Sequence, residues 1–520
     1  MPLRPIRWAL PLALTVSAAM LTLQISAAQT SSTPARTAIV GGTVIDGNGG
    51  TPVADAVILI EGARITAVGA RGAVSIPAGA RQIDAHGQWL VPGLIDTNVH
   101  LSLYGGQNDR YETMVRYQPR EAEIVLEAAQ IDLSYGVTTV RDSYGALPAL
   151  TKTRDAIARG DAIGARILAA GNILGWSGPY SFSFSRVMGP LTLFQEQMND
   201  YIAQGGGEEL MAMTPEELRG AIDAYLDKGP DFLKFGGTSH FSDPTYIGFS
   251  PEAQRVIVDE AHKRNRAAET HSTSVEGLRV SIAAGIDGIQ HPELLDGREM
   301  PDDMVATIRD RGLMCSMLAS TITGPAWKRH LKAKDEAAKK RADAEQETPT
   351  PAREKTTAER RKEAADAGAD LEARRANAQK LIRASCRVTP GTDSYWAAAA
   401  ELSRAPKPKE QDHGIGTIMA IEGLVELGMT PSQAIVSATK NGAIAARGLK
   451  DFGTIEPGKL ADLVLLTGDP LADIGNLRKV AGVMKDGRMV DRDRLPATRV
   501  LSAAPPAAKS ATSGSGKGDR

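Results

Sequence analysis

The sequence predicts an α/β protein built on a (β/α)₈ barrel of the TIM type, with a small β-sandwich domain formed from both chain ends. Short apolar runs recur through the middle of the chain with helical segments between several of them, as in parallel β/α units. Runs that alternate apolar and polar residues frame that region on both sides, as antiparallel strands do. The 520 residues are 42% hydrophobic and carry a net charge of −2, which allows a large core and gives no electrostatic bias toward nucleic acid.

Eight apolar runs mark the predicted barrel strands. They are GLID near 95, VTTVRD near 140, ARILAAG near 168, DFLKFGG near 234, RAAETH near 270, GIDGIQH near 290, LMCSML near 316 and RVTPGTDS near 392. In SPEAQRVIVDEAHKR, Ser250 precedes Pro251 as N-cap and first helical residue. The predicted barrel spans residues 94–446.

The predicted sandwich combines residues 29–93 with residues 447–495. Segments such as AVILIEGARITAVGA and KLADLVLLTGDP share short strands separated by turn residues. We therefore expect the two ends to form one sheet, with the barrel inserted between them. The tail, residues 496–520, is rich in Ala, Pro, Ser and Gly and is predicted to be disordered.

The first 28 residues have the composition of a signal peptide. Arg4 and Arg7 precede an apolar stretch over residues 8–25, and small residues then predict cleavage after Ala28. We expect an exported protein, periplasmic or secreted, with no membrane attachment after cleavage. An uncleaved membrane anchor is the alternative, although polar residues dilute the apolar stretch.

Residues 328–380 interrupt the barrel pattern with a dense mixture of Ala, Glu, Asp, Lys and Arg. Asp335 and Lys339 have the i,i+4 spacing that supports an exposed helix. Because the segment lacks an apolar stripe, we expect a solvated helical insertion, with a partner-docking arm as the alternative. Cys315 and Cys386 are the only cysteines, so we expect neither a disulfide scaffold nor a cysteine zinc site.

Polar residues stand at or near the ends of several barrel runs. They are Asn98, His100, Lys234, His271, His291 and Asp393. Side chains at the C-terminal ends of barrel strands converge on one mouth. Imidazole and carboxylate groups hold zinc or a similar ion and leave a position for water, whose pKa the ion lowers. A hydrogen-bonded core histidine or a helix-capping aspartate is the alternative for any one of them, but several convergent strand ends favour a hydrolytic metal site.

These motifs resemble the amidohydrolase superfamily, in its imidazolonepropionase-like and prolidase-like branch. VPGLIDTNVHL resembles the first-strand motif, which normally ends His-x-His, and VTTVRD, DFLKFGG, AAETHS, GIQHPE and TPGTDS resemble the following strands. The closing stretch from GMTPSQAIVSATKNGAIAARG to LADLVLLTGDP is also similar. The resemblance covers nearly the whole chain after the signal peptide.

The resemblance implies roles for the strand-end residues. Lys234 would be carboxylated and bridge two metal ions, and His271 and His291 would hold the second ion. Asp393 would ligate the first ion and act as the catalytic acid and base. The metal is expected to be a divalent ion, with zinc preferred.

Asn98 departs from the family pattern, because it stands where the first histidine is expected. His100 would then be the remaining half of the pair. An amide oxygen is a weaker ligand for zinc than imidazole is, so we favour a single ion at Lys234, His271 and His291. A two-metal site that uses the Asn98 oxygen is the alternative.

Four further residues are candidates for substrate binding, each with a structural alternative. Arg141 is either a substrate clamp or half of a structural ion pair. His240 and Tyr246 follow the Lys234 strand in a polar loop, where surface residues and substrate contacts both occur. His413 follows the last strand and is placed to reach the mouth.

The predicted function is hydrolysis of the C–N bond of a small amide, such as an N-acyl amino acid or a dipeptide, by metal-activated water. The alternatives are a cyclic-amide or lactone hydrolase at the same site, and a catalytically weakened ligand-binding homologue. The expected partner is a small amide, and a homo-oligomer is compatible with the sequence.

Overall fold

The computed structural model describes residues 36–102, 116–241, 245–347, 369–396 and 407–502. The predicted signal peptide lies outside these residues and stays a prediction. Among the residues that the structure describes, no helix is long and apolar enough to cross a membrane.

The strands fall into an end sheet and a set of parallel strands. Their bounds are β1 (Arg36–Val44), β2 (Val53–Glu61), β3 (Arg64–Ala70), β4 (Arg81–Asp84), β5 (Trp89–Pro92), β6 (Leu94–Val99), β7 (Val137–Asp142), β8 (Arg166–Ala169), β9 (Ile173–Leu174), β10 (Phe232–Gly236), β11 (Ala267–His271), β12 (Gly288–Gln290), β13 (Met314–Met317), β14 (Arg387–Pro390), β15 (Leu463–Leu466), β16 (Val480–Lys485) and β17 (Arg488–Met489).

The α-helices lie mainly between the parallel strands and after them. Their bounds are α1 (Glu121–Ser134), α2 (Leu147–Arg159), α3 (Phe182–Ser185), α4 (Leu193–Ala203), α5 (Pro215–Leu226), α6 (Pro251–Lys263), α7 (Val275–Ala284), α8 (Asp302–Arg311), α9 (Gly324–Glu347), α10 (Ala369–Arg383), α11 (Ile415–Glu426), α12 (Pro431–Val436) and α13 (Gly442–Ala445).

One eight-stranded sheet joins the two ends of the chain. Its order is β17-β16-β15-β5-β1-β2-β3, and β4 pairs with β1. The antiparallel pairing of β5 with β15 places Leu90 opposite Leu465, and both side chains are buried in one apolar cluster. The expectation that both ends share a sheet is confirmed. The second layer that would make this domain a sandwich stays a prediction.

The parallel strands form a three-stranded sheet, β6-β7-β8, and a six-stranded sheet, β9 to β14. All eight predicted runs contain a strand, and the sequence analysis missed only the short β9 among these strands. A parallel bridge between Val99 and Ser394 connects the end of β6 with the segment after β14. The α/β class is confirmed, whereas closure of the barrel stays a prediction.

Helix α6 shows how local sequence sets an element. The Ser250 side chain accepts a hydrogen bond from the Ala253 backbone N–H at 3.1 Å, and Pro251 occupies the first turn, where its missing N–H costs no hydrogen bond. Val256 and Ile257 on this helix are buried. The helix returns the chain to β11, which ends at His271.

The prediction of a solvated insertion over residues 328–380 was wrong for its last part. Helix α10 buries Asn377 and Ala378 completely. The amide nitrogen of Asn377 donates to the backbone oxygens of Glu293 and Arg298 at 3.2 and 2.8 Å. These buried groups are too sparse among charged residues to form a recognisable apolar stripe. Residues 348–368 lie outside the described part of the chain.

The prediction of a disordered tail from residue 496 was also wrong for its first residues. The buried Glu127 carboxylate in α1 accepts hydrogen bonds from the backbone N–H groups of Val500, Leu501 and Ser502 at 2.8, 2.9 and 3.0 Å. A buried carboxylate needs such donors, and these three residues supply them. Residues 503–520 lie outside the described residues.

Candidate active site

Asp393 lies where several strand ends meet. Its backbone N–H donates to the Asn98 carbonyl oxygen at 2.8 Å. Its Oδ1 accepts hydrogen bonds from His100 Nε2 at 2.7 Å and from Asn98 Nδ2 at 3.3 Å. Burial alone would raise the pKa of Asp393, but the hydrogen bond and charge of His100, together with Lys234, hold it well below its usual range. Asp393 therefore stays ionised.

Asn98 is fully buried and its amide has a defined orientation. Its carbonyl oxygen accepts a short hydrogen bond from the Ser143 hydroxyl. Its amide nitrogen lies 3.4 Å from His291 Nε2 and faces Asp393. Asn98 therefore presents its nitrogen, which is a donor, to the other strand-end groups.

Lys234 extends from β10 into the same cluster and is buried. Its ammonium group donates to Ser143 Oγ at 3.1 Å. Burial lowers its pKa to about 8, although the Asp393, Glu269 and Asp142 carboxylates oppose the shift. The lowered pKa makes the neutral amine of Lys234 more accessible than that of an exposed lysine, and a neutral amine is the form that can become carboxylated.

His271 and His291 end or follow adjacent strands, with ring centroids 5.4 Å apart. The edge of the Trp176 ring packs against His271 at a centroid distance of 4.9 Å. Burial lowers the pKa of His271 well below its usual value and that of His291 to about 3. Both rings are neutral at physiological pH and keep a nitrogen lone pair available.

His271 Nε2 is buried and has no hydrogen-bond partner among the described residues. Unsatisfied buried nitrogens are rare, and a neutral imidazole nitrogen is a common metal ligand. Yet within the described ranges no three His, Cys, Asp or Glu side chains are placed so that together they could hold one ion. The donor types fit a divalent metal, while His100 and Asn98 both donate hydrogen bonds to Asp393.

A cavity of about 170 Å³ opens beside these residues. Its lining residues are His240, His271, Thr273, His291, Leu294, Asp296, Leu318, Asp370 and Asp393. Among these described side chains none is Lys or Arg, and three are aspartates. The cavity thus combines neutral imidazoles with an acidic rim.

Of the four predicted substrate-binding residues, His240 lines this cavity. Its ring stacks on Phe184 with centroids 4.5 Å apart, and burial lowers its pKa. Tyr246 lies outside the lining, and its hydroxyl donates to Ser183 Oγ at 2.7 Å. His413 is also outside the lining, with Nδ1 3.1 Å from Ser394 Oγ.

Arg141 is not exposed to the cavity. Its Nη1 lies 2.6 Å from Glu269 Oε1, and both side chains are buried. The guanidinium carbon also stands 4.0 Å above the centre of the Phe232 ring. Arg141 therefore forms a structural ion pair with Glu269, which is the second of the two roles that the sequence analysis gave it.

Sequence reasoning missed several residues of this site, among them Ser143, Asp296 and Asp370. Ser143 directly follows the run VTTVRD, so the strand-end criterion that found the histidines could have found it. Asp296 lies in the loop after β12, and Asp370 lies in the charged insertion. Neither aspartate has a sequence signal that separates it from surface carboxylates.

Comparison with known proteins shows which family the chain resembles. Residues 89–490 match the model of the amidohydrolase family. The structure of molinate hydrolase is 31% identical, covers 91% of this chain and 98% of its own, and superposes with a TM-score of 0.78. Phenylurea hydrolase B is 30% identical with the same TM-score and covers 91% of this chain and 100% of its own. Ochratoxinase from Aspergillus niger is 25% identical over 470 residues, 87% of this chain and 86% of that protein.

The family match spans most of the chain and includes every strand-end residue described above, so the resemblance inferred from the motifs is confirmed. The chain belongs to the amidohydrolase family and is a hydrolase that acts on carbon–nitrogen bonds.

Proposed function

We propose that the protein hydrolyses the C–N bond of a small amide or urea that carries no carboxylate, with one divalent ion held by Lys234, His271 and His291. The observation that carries this proposal is the convergence of Asp393, His271 and His291 on one cavity, with Asp393 held by His100 and Asn98. Export of the protein remains a proposal from its first 28 residues.

Amidohydrolases generally use divalent metal ions. Such an ion, when bound, polarises the carbonyl group and activates water. The unpartnered His271 Nε2 and the neutral His291 ring supply nitrogen donors, and Lys234 supplies an amine that becomes an oxygen donor if it is carboxylated. We propose zinc as the ion.

Asp393 moves the proton in the proposed reaction. Its Oδ1 is oriented by His100, and the carboxylate is ionised, so it can accept a proton from the attacking water and pass it to the departing nitrogen. Asn98 holds the same carboxylate through its amide nitrogen. The two contacts fix the position of the proton acceptor.

The charge of the cavity argues against the N-acyl amino acids and dipeptides expected from sequence. A side-chain cation is the strongest partner for a substrate carboxylate, but Arg141 is held by Glu269. The described cavity lining contains no Lys or Arg. Neutral ureas and anilides bring no negative charge into the acidic cavity. One similar structure is that of a phenylurea hydrolase.

The test is a matched substrate panel with the purified mature protein. Phenylurea and acetanilide are compared with N-acetylalanine, alanylproline and a γ-lactone, and released amine or acid is measured. We expect phenylurea or acetanilide to give a kcat/KM at least about 100-fold above that of the carboxylate-bearing compounds. Preferential turnover of alanylproline or of the lactone would contradict the proposal.

A further inference from the structure

The mouth of the cavity carries two carboxylates that the proposed chemistry does not use. Asp296 and Asp370 both line it, and within the described residues neither forms an ion pair. Asp296 accepts a hydrogen bond from Thr245 Oγ1 at 2.6 Å. Burial raises the pKa of Asp296, and the nearby Asp370 carboxylate raises it further, whereas the hydrogen bond from Thr245 and the charge of Arg298 oppose the shift.

A loop and a helix fix the positions of the Asp296 and Asp370 carboxylates. Asp296 adopts a left-handed backbone conformation with φ of 49°, which costs energy for a residue other than glycine. The loop that contains it is anchored to α10 through Asn377, which donates to the Arg298 backbone oxygen at 2.8 Å. Asp370 stands in the first turn of α10. Helix α10, the last part of the insertion, thus places the Asp370 carboxylate at the cavity.

Helix stability alone does not account for Asp370. Acidic residues are favourable in the first turn of any helix, and Glu372 satisfies the same preference in α10. Glu372, however, pairs with Lys334 and lies 3.6 Å from His330 Nε2. Asp370 faces the cavity instead, which also contains the buried, unpartnered His271 Nε2.

We propose that Asp296 and Asp370 form a subsite for a positively charged group, such as a primary ammonium, on the substrate. Two carboxylates that form no ion pair with a described residue stand at the rim of a partly enclosed cavity. They attract a cation and repel an anion, and a charge-assisted hydrogen bond is among the stronger polar contacts. The inference rests on the proposed function and narrows it to ammonium-bearing amides or ureas.

Two substrates that differ only in charge test this subsite. These are 4-(aminomethyl)phenylurea and the nearly isosteric neutral 4-ethylphenylurea, assayed with wild type, Asp370→Asn and the matched control Glu372→Gln. For the cationic urea we expect KM to rise about tenfold in Asp370→Asn and to stay unchanged in Glu372→Gln. For the neutral urea, KM should be the same in all three. An equal rise for both ureas, or no preference for the cationic urea in wild type, would overturn the subsite.

A binding measurement separates failure of the subsite from failure of the proposed function. Isothermal titration calorimetry with benzylammonium chloride needs no turnover. We expect binding to wild type and Glu372→Gln and about tenfold weaker binding to Asp370→Asn and to Asp296→Asn, each with an unchanged Tm. If no urea or amide is hydrolysed but this pattern appears, the subsite stands and the substrate class is wrong. Equal benzylammonium binding by all four proteins would contradict the subsite.

Discussion

The Ser143 hydroxyl donates its hydrogen to the carbonyl oxygen of Asn98. This bond turns the Asn98 amide nitrogen toward Asp393 and His291. The same hydroxyl accepts a hydrogen bond from Lys234 at 3.1 Å. Ser143 therefore positions both the residue that departs from the family motif and the proposed lysine ligand.

Replacing Ser143 with alanine removes the group that orients the Asn98 amide. We expect kcat/KM to fall about tenfold, because the amide is then free to turn its oxygen toward the Asp393 carboxylate and repel it. Ser437→Ala, which removes another buried hydroxyl bonded to a backbone oxygen, serves as the control and should leave kcat/KM unchanged. Equal activities in the two variants would show that Ser143 does not position the site.

Asp393→Asn keeps the shape of the side chain and removes its ability to accept a proton. We expect kcat to fall about 10³-fold, within the range for loss of a general acid and base, with little change in KM. Steady-state kinetics on the best substrate of the panel measures both constants. A fall of less than tenfold would assign the proton transfer to another group.

The Arg141–Glu269 pair gives a stability prediction that separates a structural ion pair from a substrate clamp. Arg141→Met leaves the Glu269 carboxylate buried without its cation, which costs about 3–5 kcal/mol. The double variant Arg141→Met/Glu269→Leu should recover most of that loss in urea unfolding. A stable Arg141→Met protein with a raised KM for carboxylate-bearing substrates would instead show that Arg141 binds substrate.

Asp96 makes stability depend on pH. Burial raises its pKa from the ordinary 3.8 to about 6, although hydrogen bonds from Thr417, Asn98 and Thr392 oppose the shift. The unfolded chain ionises Asp96 from about pH 4, whereas the folded chain retains the proton until about pH 6. The contribution of Asp96 to stability therefore falls across this window, by about 3 kcal/mol in total.

Asp96→Asn lacks this titration. Its free energy of unfolding, relative to that of wild type, should rise between pH 4 and 6 and then stay constant. Urea unfolding at half-unit steps of pH measures the difference. A difference that does not vary with pH would show that Asp96 has an ordinary pKa in the folded protein.

Sequence patterns predicted the strands well for a physical reason. Strands such as β10 and β13 are fully buried and mainly apolar, so they appear in the sequence as short apolar runs bounded by turns and helices. The polar residue at the end of a run, such as His271, stands out because it interrupts the apolar pattern. Lys234, although one residue before the end of its run, also reaches the cluster.

Contacts across the fold could not be predicted in the same way. Asn377 in α10 satisfies backbone oxygens in a loop after β12, and Glu127 binds the backbone of residues 500–502. Each is a polar residue whose sequence neighbours give no sign of its contacts. Its role depends on backbone groups that are distant in the sequence. The same holds for Asp370, whose place at the cavity depends on how α10 packs.

The metal content per chain tests the central claim most directly. Plasma mass spectrometry on wild type, His271→Ala, Asn98→His and the exposed control His262→Ala gives the comparison. We predict one ion in wild type and in His262→Ala, none in His271→Ala, and a value rising toward two in Asn98→His. Two ions in wild type, no ion in wild type, or an undiminished ion in His271→Ala would contradict a single metal held at Lys234, His271 and His291.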